Sequence, residues 1–344
     1  MFHLSAGSRT REEIGTWNEH TLVPVWSASK GPASLALLLV LHEAGLDLDT
    51  PVQKVWPELR ARCTFAELLS HQAGLSALSL KADALDHEAV AAALAVQVPE
   101  AAALAYHPRT FGYLLEECCR RIAGGAGIGS VLAERITEPL AADFWIGLPQ
   151  EQHHRVARLY PGPPAPMDSP EAPFYRAFAD HTSLTRRSFQ SPSGLHSVAD
   201  FNQPQVWSAG LAAMGGVGSA RGLGRIYALL AADGCWQGRR LIPCAVMGWC
   251  RQPLIQRQDD VLMMTNKFSA GFMMDPLATD GAKLRHSMGA GRNALGHPGA
   301  GGSLAWADPE TGVAFGYVMN AMSPGVLPGR KAMELMAALT LPER

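Results

Sequence analysis

Residues 35–41, which read LALLLVL, form the most strongly apolar run of the chain. The pattern around this run predicts a helix over residues 28–45, with Gly45 as the left-handed residue that ends it. A helix that crosses a membrane needs about 20 apolar residues. This run is too short for that, and His42 and Glu43 follow it directly. The segment therefore predicts a core helix, and a chain of 344 residues is long enough to bury a sizeable core around it.

The charge balance limits the partners that the chain is expected to bind. Its 29 Lys and Arg residues nearly equal its 31 Asp and Glu residues, and the basic residues are scattered. Neither nucleic acid nor a membrane is therefore expected as a partner. The N-terminus holds no apolar stretch before a small-residue cleavage site, so the sequence predicts no signal peptide and a cytoplasmic protein.

The cysteine and histidine patterns predict neither disulfides nor a metal site. The six cysteines form no Cys-x-x-Cys pair, so reduced and mostly buried thiols are expected. His153 and His154 are adjacent, and neighbouring histidines rarely converge on one ion. We expect no metal and no organic cofactor.

The pattern of helix and strand signals changes twice along the chain. Residues 1–62 and 205–344 carry strand signals with flanking helices, whereas residues 63–204 are mainly helical in pattern. Antiparallel hairpins rather than alternating strand–helix units indicate the α+β class. We therefore expect a discontinuous sheet domain, formed by 1–62 and 205–344, and an inserted helical domain over 63–204. A ligand cleft is expected where the two meet.

Local signals predict individual elements. The stretch TFAELLSHQAGL, residues 64–75, begins with the threonine and glutamate of a capping box. Strand signals lie at residues 2–7, 268–275, 303–308 and 313–320, and PETG joins the last two as a hairpin turn. Further helices are expected at residues 83–105, 109–124, 129–140, 219–234 and 329–339.

Ser27 and Lys30 stand at the start of the apolar helix and are candidate catalytic residues. Positions i and i+3 share one face of a helix, so the amine can lie beside the hydroxyl. A serine needs a base to act as a nucleophile, and burial lowers the pKa of a lysine toward that role. A charge at the start of so apolar a helix is costly unless it has a role. The alternative is a serine that merely caps a core helix, since Ser-x-x-Lys alone is a weak pattern.

Two further segments carry candidate site residues. Tyr106 stands just before a predicted helix, and a tyrosine hydroxyl near a lysine can relay protons. Residues 296–312 are too rich in glycine for a plain strand and permit close approach of a substrate along the strand edge. His297 begins this segment and could orient a substrate or donate to it. Ser303 is a rival nucleophile, in a G-x-S-x-G pattern that lacks its final glycine.

Taken in order, five stretches resemble the serine β-lactamase and penicillin-binding protein superfamily, in particular its family VIII carboxylesterases and class C β-lactamase-like hydrolases. The likeness runs from about residue 20 to near the C-terminus. It implies a β-lactamase/transpeptidase-like fold, with an antiparallel sheet flanked by helices and an inserted all-helical domain. The stretches are TLVPVWSASKG (21–31), TFAELLSHQAGL (64–75), YHPRTFGYLL (106–115), ARGLGRIYALLAADG (220–234) and GHPGAGGSLAWADPETGVAFGYVMN (296–320).

The resemblance also implies roles for the first two motifs. Ser27 would be the acylated nucleophile and Lys30 its base. Tyr106 would share proton transfer to the leaving group. Which of Lys30 and Tyr106 deprotonates the serine stays open at the level of sequence.

The third motif and two departures from the family pattern bear on the substrate. His297-Pro298-Gly299 would replace the Lys-Thr-Gly of the family, and the N–H of Ala300 would join the nucleophile's own N–H as the oxyanion hole. Lactamases hold a cation at the position of His297 and an asparagine at the position of Pro108. Both changes favour neutral esters over β-lactams.

The function that the resemblance implies is a serine hydrolase with an acyl-enzyme intermediate, foremost a carboxylesterase for small to medium acyl esters. Small-molecule esters or amides would then be its partners. β-Lactam hydrolysis, D-amino peptide or amide hydrolysis and acyl transfer are alternatives on the same fold. A non-catalytic binding relative is the alternative outside catalysis. Only 26 residues precede Ser27, where relatives usually carry a helix and one or two strands. Either a truncated gene model or a natural short form with an open sheet edge is therefore expected.

Overall fold

The computed structural model describes residues 2–166 and 168–340. In chain order its helices are α1 (Lys30–Glu43), α2 (Phe65–Leu69), α3 (His87–Val96), α4 (Thr110–Ile122), α5 (Ile128–Leu132), α6 (Ala172–Ala179), α7 (Leu184–Gln190), α8 (Pro204–Ser208), α9 (Ala220–Ala231), α10 (Cys244–Arg251) and α11 (Arg330–Thr340). Its strands are β1 (Val23–Pro24), β2 (Phe144–Ile146), β3 (Gly216–Gly218), β4 (Cys235–Trp236), β5 (Arg239–Arg240), β6 (Ile255–Asp259), β7 (Met264–Phe268), β8 (Met273–Met274), β9 (Leu295–Pro298), β10 (Leu304–Asp308) and β11 (Val313–Tyr317).

Six strands form the main sheet in the order β11-β10-β9-β8-β7-β6, and every neighbouring pair is antiparallel. The hairpin predicted around PETG is confirmed, because Leu304 faces Tyr317 and Asp308 faces Val313 across β10 and β11. β1, β3 and β2 pair in a separate antiparallel sheet. Antiparallel sheets combined with packed helices confirm the α+β class.

Two of the predicted strands were wrong. Residues 2–7 form no strand. Residues 268–275 contain the end of β7 and all of β8, with a tight turn between them. In that turn the N–H of Ser269 donates to the carbonyl of Phe272 at 3.0 Å, and Gly271 has a φ of +82°. A positive φ suits glycine and cannot continue a strand, so one apparent strand is divided into two.

α1 is the central helix of the core, as the apolar run predicts. Residues 33–41 are at most 5% exposed, so the helix is buried on every face. α4, α5 and α10 all pack against it, and β9 of the main sheet touches it as well. The helix ends at Glu43, and Gly45 beyond it has the expected left-handed φ of +66°.

The main sheet has an apolar core on each face, because side chains alternate along every strand. Ala305 and Ala307 of β10 join the large core that contains α1 and α9. Trp306, between them, faces a second core together with Phe315 of β11 and Met336 of α11. The sheet therefore lies between two helical layers.

The predicted capping box is present, although its helix is shorter than expected. The Thr64 side chain accepts from the N–H of Glu67, and the Glu67 carboxylate accepts from the N–H of Thr64. The helix predicted over 64–75 ends at Leu69. His71, two residues further, has a φ of +65°, which no helix residue adopts.

The segment 63–204 carries α2 to α7 and also the strand β2, which pairs with β3. Its helices α4 and α5 pack directly on α1, so the segment shares the large core. The division of the chain into two domains at residues 62 and 205 stays a prediction. Among the residues that the structure describes, no helix is both long and apolar enough to cross a membrane.

Candidate active site

Ser27 lies on a 3-10 turn between β1 and α1. The turn Trp26–Ser29 runs directly into Lys30, the first residue of α1. Trp26 has a left-handed φ of +53°, an uncommon conformation for a bulky residue. Ser27 is partly exposed, whereas Lys30 is fully buried. The serine is thus within reach of solvent, and its neighbour one turn later is not.

The amine of Lys30 is surrounded by oxygen atoms. Its Nζ lies 3.1 Å from Ser27 Oγ, and it donates to the carbonyls of Pro108 at 2.8 Å and Ala213 at 3.0 Å. Burial lowers the pKa of this amine well below its usual value, and no carboxylate of the described residues opposes that effect. The uncharged amine is therefore favoured.

Burial favours loss of one hydrogen from the Lys30 amine, and the neutral amine that results has two hydrogens and one lone pair. The two carbonyls accept the two hydrogens. The lone pair is then left for the third neighbour, the hydroxyl of Ser27. An amine held in this way can accept the proton of the serine.

Tyr106 lies against both residues of this pair. Lys30 Nζ is 4.8 Å from the centre of the tyrosine ring. The hydroxyl of Tyr106 lies 3.4 Å from Nε2 of His297. Burial raises the pKa of this hydroxyl far above its usual value, and a side-chain hydrogen bond with Ser27 opposes the rise. The tyrosine is accordingly a neutral proton donor.

His297 is an uncharged acceptor in this arrangement. Burial is the main cause that lowers the pKa of its ring to about 3. The Nδ1 atom lies 2.8 Å from the carbonyl of Pro298, to which a neutral ring donates its single hydrogen. Nε2 then accepts from the hydroxyl of Tyr106. His297 therefore supplies no positive charge to the site at neutral pH.

The end of β9 approaches the turn that carries Ser27. A Cβ atom at Gly299 would overlap the carbonyl oxygen of Val25, so this approach requires glycine. Within the described part of the chain, the N–H of Ala300 has no acceptor. The N–H of Ser27 stands in the first turn of its helix, where no intrahelical acceptor is available. Both groups are free to donate to an oxyanion.

Ser303, the rival nucleophile, has a different environment. It is fully buried, and its hydroxyl has no hydrogen-bond partner among the described residues. A serine without an adjacent base is not activated. The geometry therefore favours Ser27, which has both an adjacent amine and access to solvent.

Two buried histidines beneath Tyr106 were missed from the sequence. The His71 ring lies 4.7 Å from the Tyr106 ring, and its Nδ1 accepts from the N–H of His107 at 3.2 Å. His107 Nδ1 lies 2.6 Å from the carbonyl of Ala105, and its Nε2 accepts from the N–H of Leu75 at 3.0 Å. Both histidines stand inside the motifs at 64–75 and 106–115, but neither has a spacing that indicates a role.

The cysteines and acidic residues form no second centre in the described chain. All six cysteines are unpaired, and four of them are buried. No group of three or more His, Cys, Asp and Glu side chains among the described residues is placed to hold a metal ion. The cysteines are Cys63, Cys118, Cys119, Cys235, Cys244 and Cys250.

Comparison with known sequences identifies relatives over nearly the whole chain. The profile of the family described as Beta-lactamase matches residues 1–339. The esterase/β-lactamase LipL of Mycobacterium tuberculosis is 30% identical over 325 residues, which cover 90% of this chain and 72% of that protein.

Comparison with solved structures also identifies relatives over nearly the whole chain. A penicillin-binding protein homologue from Caulobacter crescentus is 30% identical with a TM-score of 0.82, covering 98% of this chain and 88% of that one. A family VIII carboxylesterase is 26% identical with a TM-score of 0.80, covering 97% and 90%. EstA from Arthrobacter nitroguajacolicus Rue61a is 28% identical with a TM-score of 0.76, covering 98% and 92%. The chain belongs to the Beta-lactamase family of serine hydrolases.

Proposed function

We propose that this protein is a carboxylesterase that works through an acyl-enzyme intermediate on Ser27. The observation that carries the proposal is the environment of Lys30. Its buried amine donates to two carbonyls and lies 3.1 Å from Ser27 Oγ. A neutral amine in that position is a general base for the serine.

In the acylation step, the lone pair of Lys30 takes the hydroxyl proton of Ser27 as Oγ attacks the ester carbonyl. The carbon–oxygen double bond becomes a single bond, and the oxyanion accepts from the N–H groups of Ser27 and Ala300. The carbonyl then re-forms as the bond between its carbon and the alkoxide oxygen breaks, and Tyr106 donates its proton to the departing alkoxide. The proton held by Lys30 returns to the tyrosine oxygen, which restores a neutral pair.

In the deacylation step, a water molecule takes the place of the departed alcohol beside Tyr106 and Lys30. The amine removes a proton from the water as the water oxygen attacks the acyl carbon. The bond to Ser27 Oγ breaks, and the serine recovers its proton from the amine. No metal or organic cofactor is needed for either step.

The character of His297 supports neutral esters over β-lactams. Lactamases of this superfamily hold a cation at this position for the carboxylate of the drug. Here a ring with a pKa of about 3 is uncharged at neutral pH. One of the structural relatives, with 26% identity, is itself a family VIII carboxylesterase, which supports the same substrate class.

The test uses purified protein with p-nitrophenyl acetate, p-nitrophenyl butyrate and a chromogenic cephalosporin. We expect both esters to be hydrolysed well above the cephalosporin. Ser27→Ala should lower kcat by about a thousandfold or more, because it removes the nucleophile. Intact-mass spectrometry of the quenched enzyme should show the acyl group on the wild type and not on the variant.

Ser303→Ala is the matched control, since it removes a hydroxyl of the same kind from a buried position in the same region. We expect it to retain its rate within about threefold, because its hydroxyl has no hydrogen-bond partner among the described residues that the change could remove. Equal activity in Ser27→Ala and the wild type would exclude Ser27 as the nucleophile. Cephalosporin turnover far above ester turnover would make the protein a β-lactamase instead.

A further inference from the structure

Asp259, the last residue of β6, is a fully buried carboxylate that lies next to Tyr106. Its Oδ1 accepts from the N–H of Tyr106 at 3.0 Å. The same oxygen accepts from the N–H groups of Val261 at 2.9 Å and Leu262 at 3.1 Å. Its Oδ2 accepts from Nδ2 of Asn266 at 2.9 Å. All four neighbours are donors, so the carboxylate is the form that fits.

The orientation of Asn266 is fixed from its other side. Its Oδ1 accepts from Nη2 of Arg285 at 2.7 Å, and Nη1 of the same guanidinium donates to the carbonyl of Thr265 at 3.0 Å. The amide of Asn266 must therefore present its NH₂ group to Asp259. Three side chains in sequence thus connect a partly buried arginine to the backbone of Tyr106.

A second bond joins the same two segments. The N–H of Asp260 donates to the carbonyl of Leu104 at 3.0 Å. The turn between β6 and β7 therefore holds the segment before α4 at two points, on either side of Ala105. Because the turn and the segment are more than 150 residues apart in sequence, this contact belongs to the tertiary structure and not to a local cap.

We propose that Asp259 is a positioning residue for the hydroxyl of Tyr106, which it holds in place through the tyrosine's backbone N–H. The proposal rests on the proposed function of Tyr106 in proton transfer. The side chain of Tyr106 packs on His71 and Phe268, whose rings fix its plane. Those rings contact the side chain only, whereas the bond from Asp259 to the N–H fixes the backbone from which the ring extends.

Asp259→Asn is the informative change, because the amide has nearly the shape of the carboxylate. Its NH₂ group must face either the NH₂ of Asn266 or the N–H groups that include that of Tyr106. One set of donors therefore loses its acceptor. A displacement of about 1 Å at a reacting group can cost about a hundredfold in rate. We expect kcat on p-nitrophenyl butyrate to fall about ten- to a hundredfold, with KM changed less than about twofold.

The matched control is Asp275→Asn. Asp275 is also buried and follows a strand of the same sheet, and its carboxylate accepts from the N–H groups of Ser287 and Met288 and from Lys283. It has no contact with Tyr106. The control should lose stability in the same way but keep kcat within about threefold.

A double-mutant cycle separates positioning of the tyrosine from general damage. In the Tyr106→Phe background the hydroxyl is absent, so Asp259→Asn should cause less than about a twofold further loss in kcat. A loss of equal size in both backgrounds would overturn the proposal.

A rescue variant gives a second criterion. In Asp259→Asn combined with Asn266→Asp, the new carboxylate accepts from both residue 259 and Arg285, and kcat should return to within about threefold of the wild type.

Hydrogen exchange gives a readout that needs no turnover. The amide of Tyr106 should exchange at least about tenfold faster in Asp259→Ala, which leaves no side-chain acceptor, than in the wild type or in Asp275→Ala. An unchanged exchange rate would refute the anchoring itself. Absence of ester hydrolysis by the wild type would refute the proposed function, and the exchange measurement would still decide whether Asp259 holds Tyr106.

Discussion

Acidification should destabilise this protein through its buried, uncharged histidines, and His107 allows the effect to be measured. Burial lowers the pKa of His107 to about 4, whereas in the unfolded chain a histidine has a pKa of about 6.5. Between these two values the unfolded chain binds a proton that the folded chain does not. Stability must therefore rise with pH in that window and fall as the pH is lowered through it.

The size of the effect follows from the two pKa values. At pH 7 both states of His107 are mostly neutral, so the contribution is small. At pH 5 the unfolded histidine is almost fully protonated, and the folded one remains mostly neutral. With about 1.4 kcal/mol for each unit between pH 5 and the unfolded value, the free energy of unfolding falls by about 2 kcal/mol. His71 and His297 are buried in the same way and act in the same direction.

The assay compares the wild type with His107→Gln by urea denaturation at pH 7 and pH 5. Glutamine retains an acceptor for the N–H of Leu75 but has no titrating group. We expect the drop in the free energy of unfolding between the two pH values to be about 2 kcal/mol smaller in the variant. The other titrating groups contribute equally to the drop in both proteins, so they cancel when the two drops are subtracted. Asp259 is one of them: burial raises its pKa, so it acts in the opposite direction. His181→Gln, at an exposed position, is the control and should behave like the wild type.

The outcome that refutes this reasoning is the same pH dependence in His107→Gln and the wild type. It would mean that His107 is protonated in the folded chain at pH 5, or that the folded chain opens there at no cost. If the drop in the free energy of unfolding were also smaller in His181→Gln, the effect would come from replacing a histidine with glutamine and not from the burial of His107.

Two further predictions concern α1 and its lysine. Gly31→Ala should lower the free energy of unfolding by about 1–3 kcal/mol in thermal denaturation, because its Cβ would overlap the hydroxyl of Tyr227. Tyr227→Phe removes a hydroxyl that has no partner in the described chain, so it should be nearly neutral alone and should restore most of the loss in the double variant. For Lys30, kcat/KM on esters should rise with pH as the amine loses its proton. The midpoint of this acid limb of the pH profile should lie well below the usual pKa of lysine. His297→Asn should leave that limb in place, whereas a limb near the ordinary pKa of lysine would mean that burial does not neutralise the amine.

The sequence predicts best what short segments decide by themselves. The capping box at Thr64 and the central position of α1 follow from residues within one or two turns of each other. The β10–β11 hairpin follows from the PETG turn and its flanking strands. Ser27 and Lys30 belong to this group as well, since the helix itself places them on one face.

The missed features depend on residues that only the fold brings together. Strand β6 was not predicted, and the end of β7 was merged with β8, because their short and mixed sequences become strands only beside their partners in the sheet. The bond between Asp259 and Tyr106 joins positions that are 153 residues apart. No periodicity or motif in one sequence encodes such a contact. The capping pattern at 64–75 likewise predicts where its helix begins, but not that the helix ends at Leu69 and that His71 lies beneath the tyrosine.

The polar groups of this site are kept uncharged by the same core that makes the fold stable. Lys30, Tyr106 and His297 are all buried, and burial shifts each pKa toward the neutral form. Neutral groups can pass a proton among themselves without separating charge in a poorly solvated region, where such separation is costly. The carboxylate of Asp259 accepts from backbone N–H groups, including that of Tyr106. In the proposed mechanism it would hold the tyrosine without placing a negative charge beside the oxyanion. On this reasoning, a carboxylate introduced beside Lys30 would keep the amine protonated and remove the base. His297→Asp should therefore lose kcat far more than His297→Asn, and equal losses in the two variants would contradict a neutral lysine.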